Sequence, residues 1–310
     1  MRTVLVAGGA GYIGCNLVKR LLNLGYVVRV VDKQLPIIPL YEPHQVQFIQ
    51  ADLAHPGLIE EALEGVDVCF HLANTSYAAL CHHEWIASQE ADFHVFNSLL
   101  DAIRRMDRKV KLVYTSSAEV YNDVISTPHH ETERLQPITF EGGNALHLET
   151  QAFLAQVNFN NSAIGLRIFN VYGPGFECLS HDSVFISFWQ SIQSKKPLLV
   201  YGSGEAERDF IYIDDVIDAL MQAALFTDMD SGMFNVCTGV GTSINRLAYL
   251  MLALMEVSLP IVHVKEKETE LLHKVGCPDL AKKILGFQSK IGLEEGLVTW
   301  LLNYQELINE

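Results

Sequence analysis

The chain has 310 residues, 49% hydrophobic and 19% charged, which excludes an intrinsically disordered protein and suffices for one large α/β domain or a nucleotide-binding domain with a smaller lobe. Lysine and arginine number 22 against 37 aspartates and glutamates, and the net charge of −15 argues against wrapping nucleic acid or coating an anionic membrane. The most apolar run, Leu247–Met255, stops at Glu256, far short of the ~20 residues that span a bilayer.

The first strand is expected over Thr3–Ala7, directly behind Met1-Arg2 and with no signal-peptide pattern. It runs into Gly8-Gly9-Ala10-Gly11-Tyr12-Ile13-Gly14 and a helix over Tyr12–Leu24. In such a loop Gly8 permits the tight turn, Gly11 lets the backbone approach a pyrophosphate, and Gly14 lets helix and strand pack closely. The helix N-terminus, at Tyr12 and Ile13, turns N–H groups and a partial positive charge towards the phosphates. A second strand, Val27–Val31, ends at Asp32. A carboxylate there accepts hydrogen bonds from ribose hydroxyls and repels a 2′-phosphate, so NAD is favoured over NADP; the alternative for Asp32 is a turn cap.

Strands are expected at Val46–Gln50, Val68–Leu72, Val110–Tyr114 and Ala163–Phe169, and helices at Gly57–Leu63, Glu84–Arg105 and Ala145–Asn158. Near-continuous Val, Leu and Ile marks strands buried on both faces. The alternation specifies an α/β fold with a doubly wound parallel sheet, the Rossmann fold. After Tyr172 the chain is punctuated by Gly173-Pro174-Gly175 and Lys196-Pro197, with helices at Asp214–Leu225 and Ile244–Met255 and a short strand at Phe234–Cys237. The expected division is an NAD-binding domain over 1–171 and a smaller substrate-binding lobe over 172–310, interleaved with returns to the first domain. Six scattered cysteines form no Cys-x-x-Cys pair, as in a cytoplasmic protein with reduced thiols.

Several motifs in one order resemble the extended short-chain dehydrogenase/reductase family, within it the nucleotide-sugar epimerases and dehydratases. They are the glycine loop, Ala51-Asp52-Leu53, His71-Leu72-Ala73, Tyr114-Thr115-Ser116-Ser117-Ala118-Glu119-Val120-Tyr121 and Leu166-Arg167-Ile168-Phe169-Asn170-Val171-Tyr172-Gly173-Pro174-Gly175. Val200-Tyr201-Gly202-Ser203-Gly204, Arg208-Asp209-Phe210-Ile211-Tyr212-Ile213-Asp214-Asp215-Val216, Phe234-Asn235-Val236 and Leu285-Gly286-Phe287 complete the set, which covers nearly the whole chain. The resemblance implies NAD as cofactor, with Asp52 and Leu53 on the adenine and Ala73 beside the nicotinamide ribose. It also implies a nucleotide-sugar substrate with Asn170 and Arg208 on the diphosphate, and a homodimer built on the helices Glu84–Arg105 and Ala145–Asn158. Those helices carry apolar residues on more than one face (Trp85, Ile86, Phe93 and Phe96 among them), more than one core stripe requires.

The family pairs a Ser or Thr with Tyr-x-x-x-Lys on the following helix, and only the first partner is present, as Ser117. No tyrosine lies between Tyr121 and Tyr172, and no lysine between Lys111 and Lys195. The best register places Glu141 at the tyrosine position and Ala145 at the lysine position; a shift by one gives Phe140 and Asn144. Gly142-Gly143 predicts a flexible loop there. Asp92 stands where the family has Asn, and no arginine follows Arg246. A replacement acid/base is expected among Glu141, Glu119, His147, His181 and Tyr172, with Glu141 first and Glu119 second; Glu119 resembles the Glu of the dehydratases' Thr-Asp-Glu, with Ala118 at the Asp position. Arg208 beside Asp209 has an ion pair as its alternative role.

Other clusters carry less. Cys81-His82-His83 with His71 lacks metal-ligand spacing, so no metal is expected. His129-His130-Glu131 reads as a solvated polar loop, and Ser117 is not in a hydrolase Gly-x-Ser-x-Gly elbow. The sequence thus points to an atypical NAD-dependent, nucleotide-sugar epimerase- or dehydratase-like enzyme (isomerase, lyase or oxidoreductase) with a non-tyrosine acid/base. Two alternatives stay open: a lyase or cyclase on a natural-product intermediate with NAD structural or unused, and a catalytically inactive NAD-binding scaffold or regulator.

Overall fold

Seven strands, all parallel, make the central sheet of the computed structural model, which describes residues 2–55, 57–73, 85–122, 127–175, 183–228, 231–265 and 273–309. In chain order the first part supplies β1 (Thr3–Ala7), α1 (Tyr12–Asn23), β2 (Val27–Asp32), β3 (Gln47–Gln50), α2 (Leu58–Leu63), β4 (Val68–His71) and α3 (Trp85–Arg105). It continues with β5 (Lys111–Ser117), α4 (Phe140–Phe159) and β6 (Ala163–Ile168). The rest gives β7 (Asn170–Tyr172), α5 (Val184–Gln193), β8 (Leu198–Tyr201), β9 (Glu207–Tyr212), α6 (Ile213–Leu225), β10 (Ser231–Val236) and β11 (Gly241–Ser243). Then follow α7 (Ile244–Leu254), β12 (Ile261–Val264), β13 (His273–Lys274), α8 (Asp279–Leu285) and α9 (Leu293–Asn309).

The strand order β10-β6-β5-β4-β1-β2-β3 reverses direction between β1 and β4, the Rossmann arrangement, with β10 returning from the later chain to its edge. Successive residues of a strand face opposite sides. Val4 and Val6 of β1 accordingly join the core under α1 and α6, whereas Leu5 and Ala7 join the core under α2, α3 and α4. Apolar side chains are needed on both faces, which is why the strands read as unbroken Val, Leu and Ile. A second sheet is centred on β9, antiparallel to β11 and parallel to β7 and β13, and β8 pairs with β12.

Two local expectations are corrected. Helix α4 starts at Phe140, not Ala145, because the Thr139 hydroxyl caps it by accepting the Gly142 N–H at 3.0 Å. Gly142 and Gly143 therefore belong to a helix rather than a flexible loop. His129 is fully buried rather than solvated: its ring lies parallel to that of Tyr121, with centroids 4.7 Å apart, and Nδ1 is 3.0 Å from Glu133 Oε2.

Beneath the ends of β5 and β6 runs a buried polar network. Arg167 donates to both carboxylate oxygens of Glu149, at 2.9 and 2.7 Å, and through Nη1 to the Tyr121 hydroxyl at 2.7 Å. Ser116 donates to Glu149 and Tyr121 to Asn235 Oδ1. Among the described residues no helix is long and apolar enough to cross a membrane.

Candidate active site

The glycine loop joins β1 to α1 at the point where the strand order reverses. Gly8 has φ +83°, and a Cβ there would lie 2.6 Å from the Ala73 nitrogen; one on Gly14 would lie 2.1 Å from the Gly8 carbonyl. A Cβ on Gly11 would meet only the Gly8 carbonyl, at 3.6 Å, so the N-terminal end of α1 is open, and no side chain caps it. The Asp32 carboxylate accepts the N–H groups of Ala10 and Gln34, each at 3.0 Å, which fixes it at the rim of this cradle with lone pairs to spare for ribose hydroxyls. Lys33 turns aside: its Nζ is 3.0 Å from Asp52. Burial pushes the Asp52 carboxyl up, but the Ala54 N–H and Lys33 outweigh it and hold it below its ordinary value. Leu53 is buried nearby in sequence and Ala73 half-buried against Gly8. The cradle fits a dinucleotide with an unphosphorylated 2′-hydroxyl. Asp32→Ala is expected to bring the dissociation constants for NAD and NADP together in calorimetry; equal constants in the wild type would remove this role.

At the C-terminal end of β5, Ser117 closes the strand and caps the turn Ala118–Val120 by accepting the Glu119 N–H at 3.2 Å. Its Oγ is 2.8 Å from Oε1 of Glu141, in the first turn of α4. That turn is set close to Ser117 because position 142 has no side chain: a Cβ on Gly142 would lie 2.1 Å from the Glu119 carbonyl oxygen. Glu119 accepts from Thr139 Oγ1 at 3.4 Å and pairs closely with Lys274, which is buried on β13. In the parallel pairing of β13 with β9, Lys274 sits opposite Arg208, so both side chains project from the same face of the sheet.

The two carboxyl groups are pushed apart. Burial raises Glu119, but Lys274, with Arg208 behind it, more than reverses this and the net shift is downward. Glu141 is an exposed residue in the first turn of α4, although protein surrounds its carboxyl group. Burial first and the negative charge of Glu119 second push it upward, against the Ser117 hydrogen bond and Lys274.

The other sequence candidates separate. Ala145 and Asn144 are both buried, and Asn144 bonds to Asp92 and Gln89 of α3, so neither register puts a cation on this helix. His147 stacks on Phe93 with centroids 3.7 Å apart, and the buried Tyr172 donates to the Gly292 carbonyl at 3.2 Å; neither reaches Ser117. His181 and Cys81-His82-His83 lie outside the described residues, among which no metal-binding cluster occurs. Asn170 donates to the Asp209 carbonyl at 3.1 Å. Asp209 is not the ion-pair partner of Arg208, because its carboxylate faces Thr238, Gly239 and Gly276. Lys274 and Thr139 are further residues of this site; Thr139 carries a sequence signal as a Thr at a helix start, and Lys274 carries none.

The model of the NAD dependent epimerase/dehydratase family matches residues 4–237. UDP-glucuronic acid decarboxylase 1 of Arabidopsis thaliana is 29% identical, over 99% of this chain and 71% of the relative. The crystal structure of UDP-glucose 4-epimerase from Thermotoga maritima with UDP-glucose is similar at a TM-score of 0.91, with 25% identity and 99% of each chain covered. UDP-glucuronic acid 4-epimerase from Bacillus cereus, in complex with UDP-glucuronic acid and NAD, is similar at a TM-score of 0.87 and 25% identity, covering 98% of this chain and 99% of the other.

Proposed function

The chain belongs to the NAD-dependent epimerase/dehydratase family, and on that premise we propose that it converts a UDP-sugar with Glu141, rather than a tyrosine, as the acid/base. The observation that carries this reading is the 2.8 Å hydrogen bond between Ser117 and Glu141. When bound, NAD would supply the hydride-exchanging group. The proton half of that exchange falls to the protein. Ser117 holds the reacting sugar hydroxyl, and Glu141 takes its proton and gives it back, with Glu119 as the second carboxylate at the same point. Arg208 and the second amide hydrogen of Asn170 would bind the diphosphate. Asp32, Asp52, Leu53 and the Gly8–Gly14 loop would hold the adenosine half of the cofactor, and Ala73 would line the path to its nicotinamide ribose.

The segment 172–310 supplies the substrate side of the cleft in this reading, with β10 as its return to the nucleotide domain. A cytoplasmic setting suits the free thiols of Cys15, Cys69, Cys237 and Cys277. We expect a homodimer through α3 and α4, because Ile86, Phe153, Leu154 and Val157 are exposed there. Light scattering at micromolar concentration should return twice the chain mass, and the monomer mass would contradict it.

The function is tested by incubating the protein and NAD with UDP-glucuronic acid and with UDP-glucose, followed by proton NMR and mass spectrometry. Conversion of either is the expected result. Failure of both to bind in calorimetry would overturn the UDP-sugar reading, and binding without any turnover would favour the inactive scaffold.

A further inference from the structure

This inference rests on Glu141 as proton carrier and concerns what controls it. The positive charge that the family places on the helix is absent from α4, where Ala145 occupies the position, and a cation arrives instead from β13. Lys274 makes a close ion pair with Oε1 of Glu119. Glu119 is the neighbour of Glu141 because the first turn of α4 packs onto its carbonyl through Gly142. Among the described residues the charged groups facing the pair are Lys274 from β13 and Arg208 from β9 on Glu119, and Lys274 together with Glu119 itself on Glu141. Two crowded carboxyl groups resist ionising together, and the one that holds the cation ionises first.

We propose that Lys274 is the positioning residue of a two-carboxylate relay: it fixes Glu119 in the ionised form and so leaves Glu141 as the member that exchanges a proton through Ser117. In the forward step the substrate O–H breaks and leaves its electron pair on the substrate oxygen, its proton passes to Ser117 Oγ, and the Ser117 proton forms a new O–H on Glu141. Ser117 ends as it began, and Glu119 and Lys274 keep their charges. The reverse step returns the proton by the same path. The low-lying Glu119 and high-lying Glu141 agree with this division of labour.

The test is a carbon-13 NMR titration of glutamate side chains in the full chain, without substrate, so it stands whichever sugar is used. The resonance lost in Glu141→Gln should titrate above that lost in Glu119→Gln. In Lys274→Met the Glu119 midpoint should move up by about one pH unit or more, the usual effect of removing an adjacent opposite charge. Lys274→Arg should restore it, and Glu119→Gln should move the Glu141 midpoint down. With a converted UDP-sugar, the acid limb of the kcat profile marks ionisation of Glu141. It should therefore shift to higher pH in Lys274→Met and to lower pH in Glu119→Gln, with KM little changed. Unmoved midpoints in Lys274→Met overturn the proposal while leaving the UDP-sugar reading intact. A raised KM with weaker binding of UDP and unmoved midpoints would make Lys274 a phosphate ligand instead. Should Lys274→Met not fold, Glu119→Gln/Lys274→Met leaves no unpaired buried charge. Its Glu141 midpoint must then lie above that of Glu119→Gln alone, and an equal midpoint counts against Lys274.

Discussion

Glu141→Gln should lower turnover by about 10²–10⁴-fold, the usual loss when general acid–base help is removed. The glutamine keeps the size of the side chain and can still accept from Ser117, so the 2.8 Å contact survives while the proton has nowhere to go. Affinity for NAD should stay nearly the same, because Glu141 stands on α4 whereas the Gly8–Gly14 loop and Asp32 belong to the β1–α1–β2 unit. A fall in kcat and kcat/KM together, with KM unchanged, is the signature of a group that acts in the transition state. Equal turnover by wild type and variant would remove Glu141 and promote Glu119.

Glu149→Ala should cost about 3–5 kcal/mol of stability, because it strands the guanidinium of Arg167 in the interior. The pair is almost wholly dry, with side chains 4% and 7% exposed, and it is bidentate. Arg167 would keep the Tyr121 hydroxyl at 2.7 Å and the Glu131 carbonyl at 3.3 Å, but two neutral acceptors do not balance a buried cation. The double variant Arg167→Met/Glu149→Leu should lose much less than the two single losses combined, since no charge is left unpaired. Urea unfolding midpoints decide this, and a loss under about 1 kcal/mol for Glu149→Ala would refute it.

What could be read in the sequence was what neighbouring residues determine. The glycine loop and Asp32 are legible because the tight turn, the close packing and a carboxylate at the end of β2 are each fixed within one β–α–β unit. The nearness of Glu141 to Ser117 is legible from its spacing in the motif that begins after Ser117, even without the tyrosine. The start of α4 was missed because a glycine pair resembles a breaker; only the position of the Glu119 carbonyl explains why Gly142 is there. The burial of His129 is hidden in the sequence, since polar neighbours suggest solvent while the ring stacks on Tyr121 from another segment. Lys274 could not be found at all. It stands on a two-residue strand, and its pairing with β9, not any local pattern, carries it 155 positions back to Glu119.

The late arrival of β10 also matters on the ribosome. Every residue of β6 is buried in the finished protein, and its outer edge is paired only by Ser231–Val236. At ~5–20 residues per second, the chain between Ile168 and Ser231 takes roughly 3–12 seconds to synthesise. Throughout that interval a nearly complete sheet presents an apolar edge with open hydrogen-bonding groups, the kind of edge that recruits other chains. The hazard of aggregation therefore peaks during translation, and chaperone demand should concentrate on nascent chains that have passed β6 and not yet reached β10.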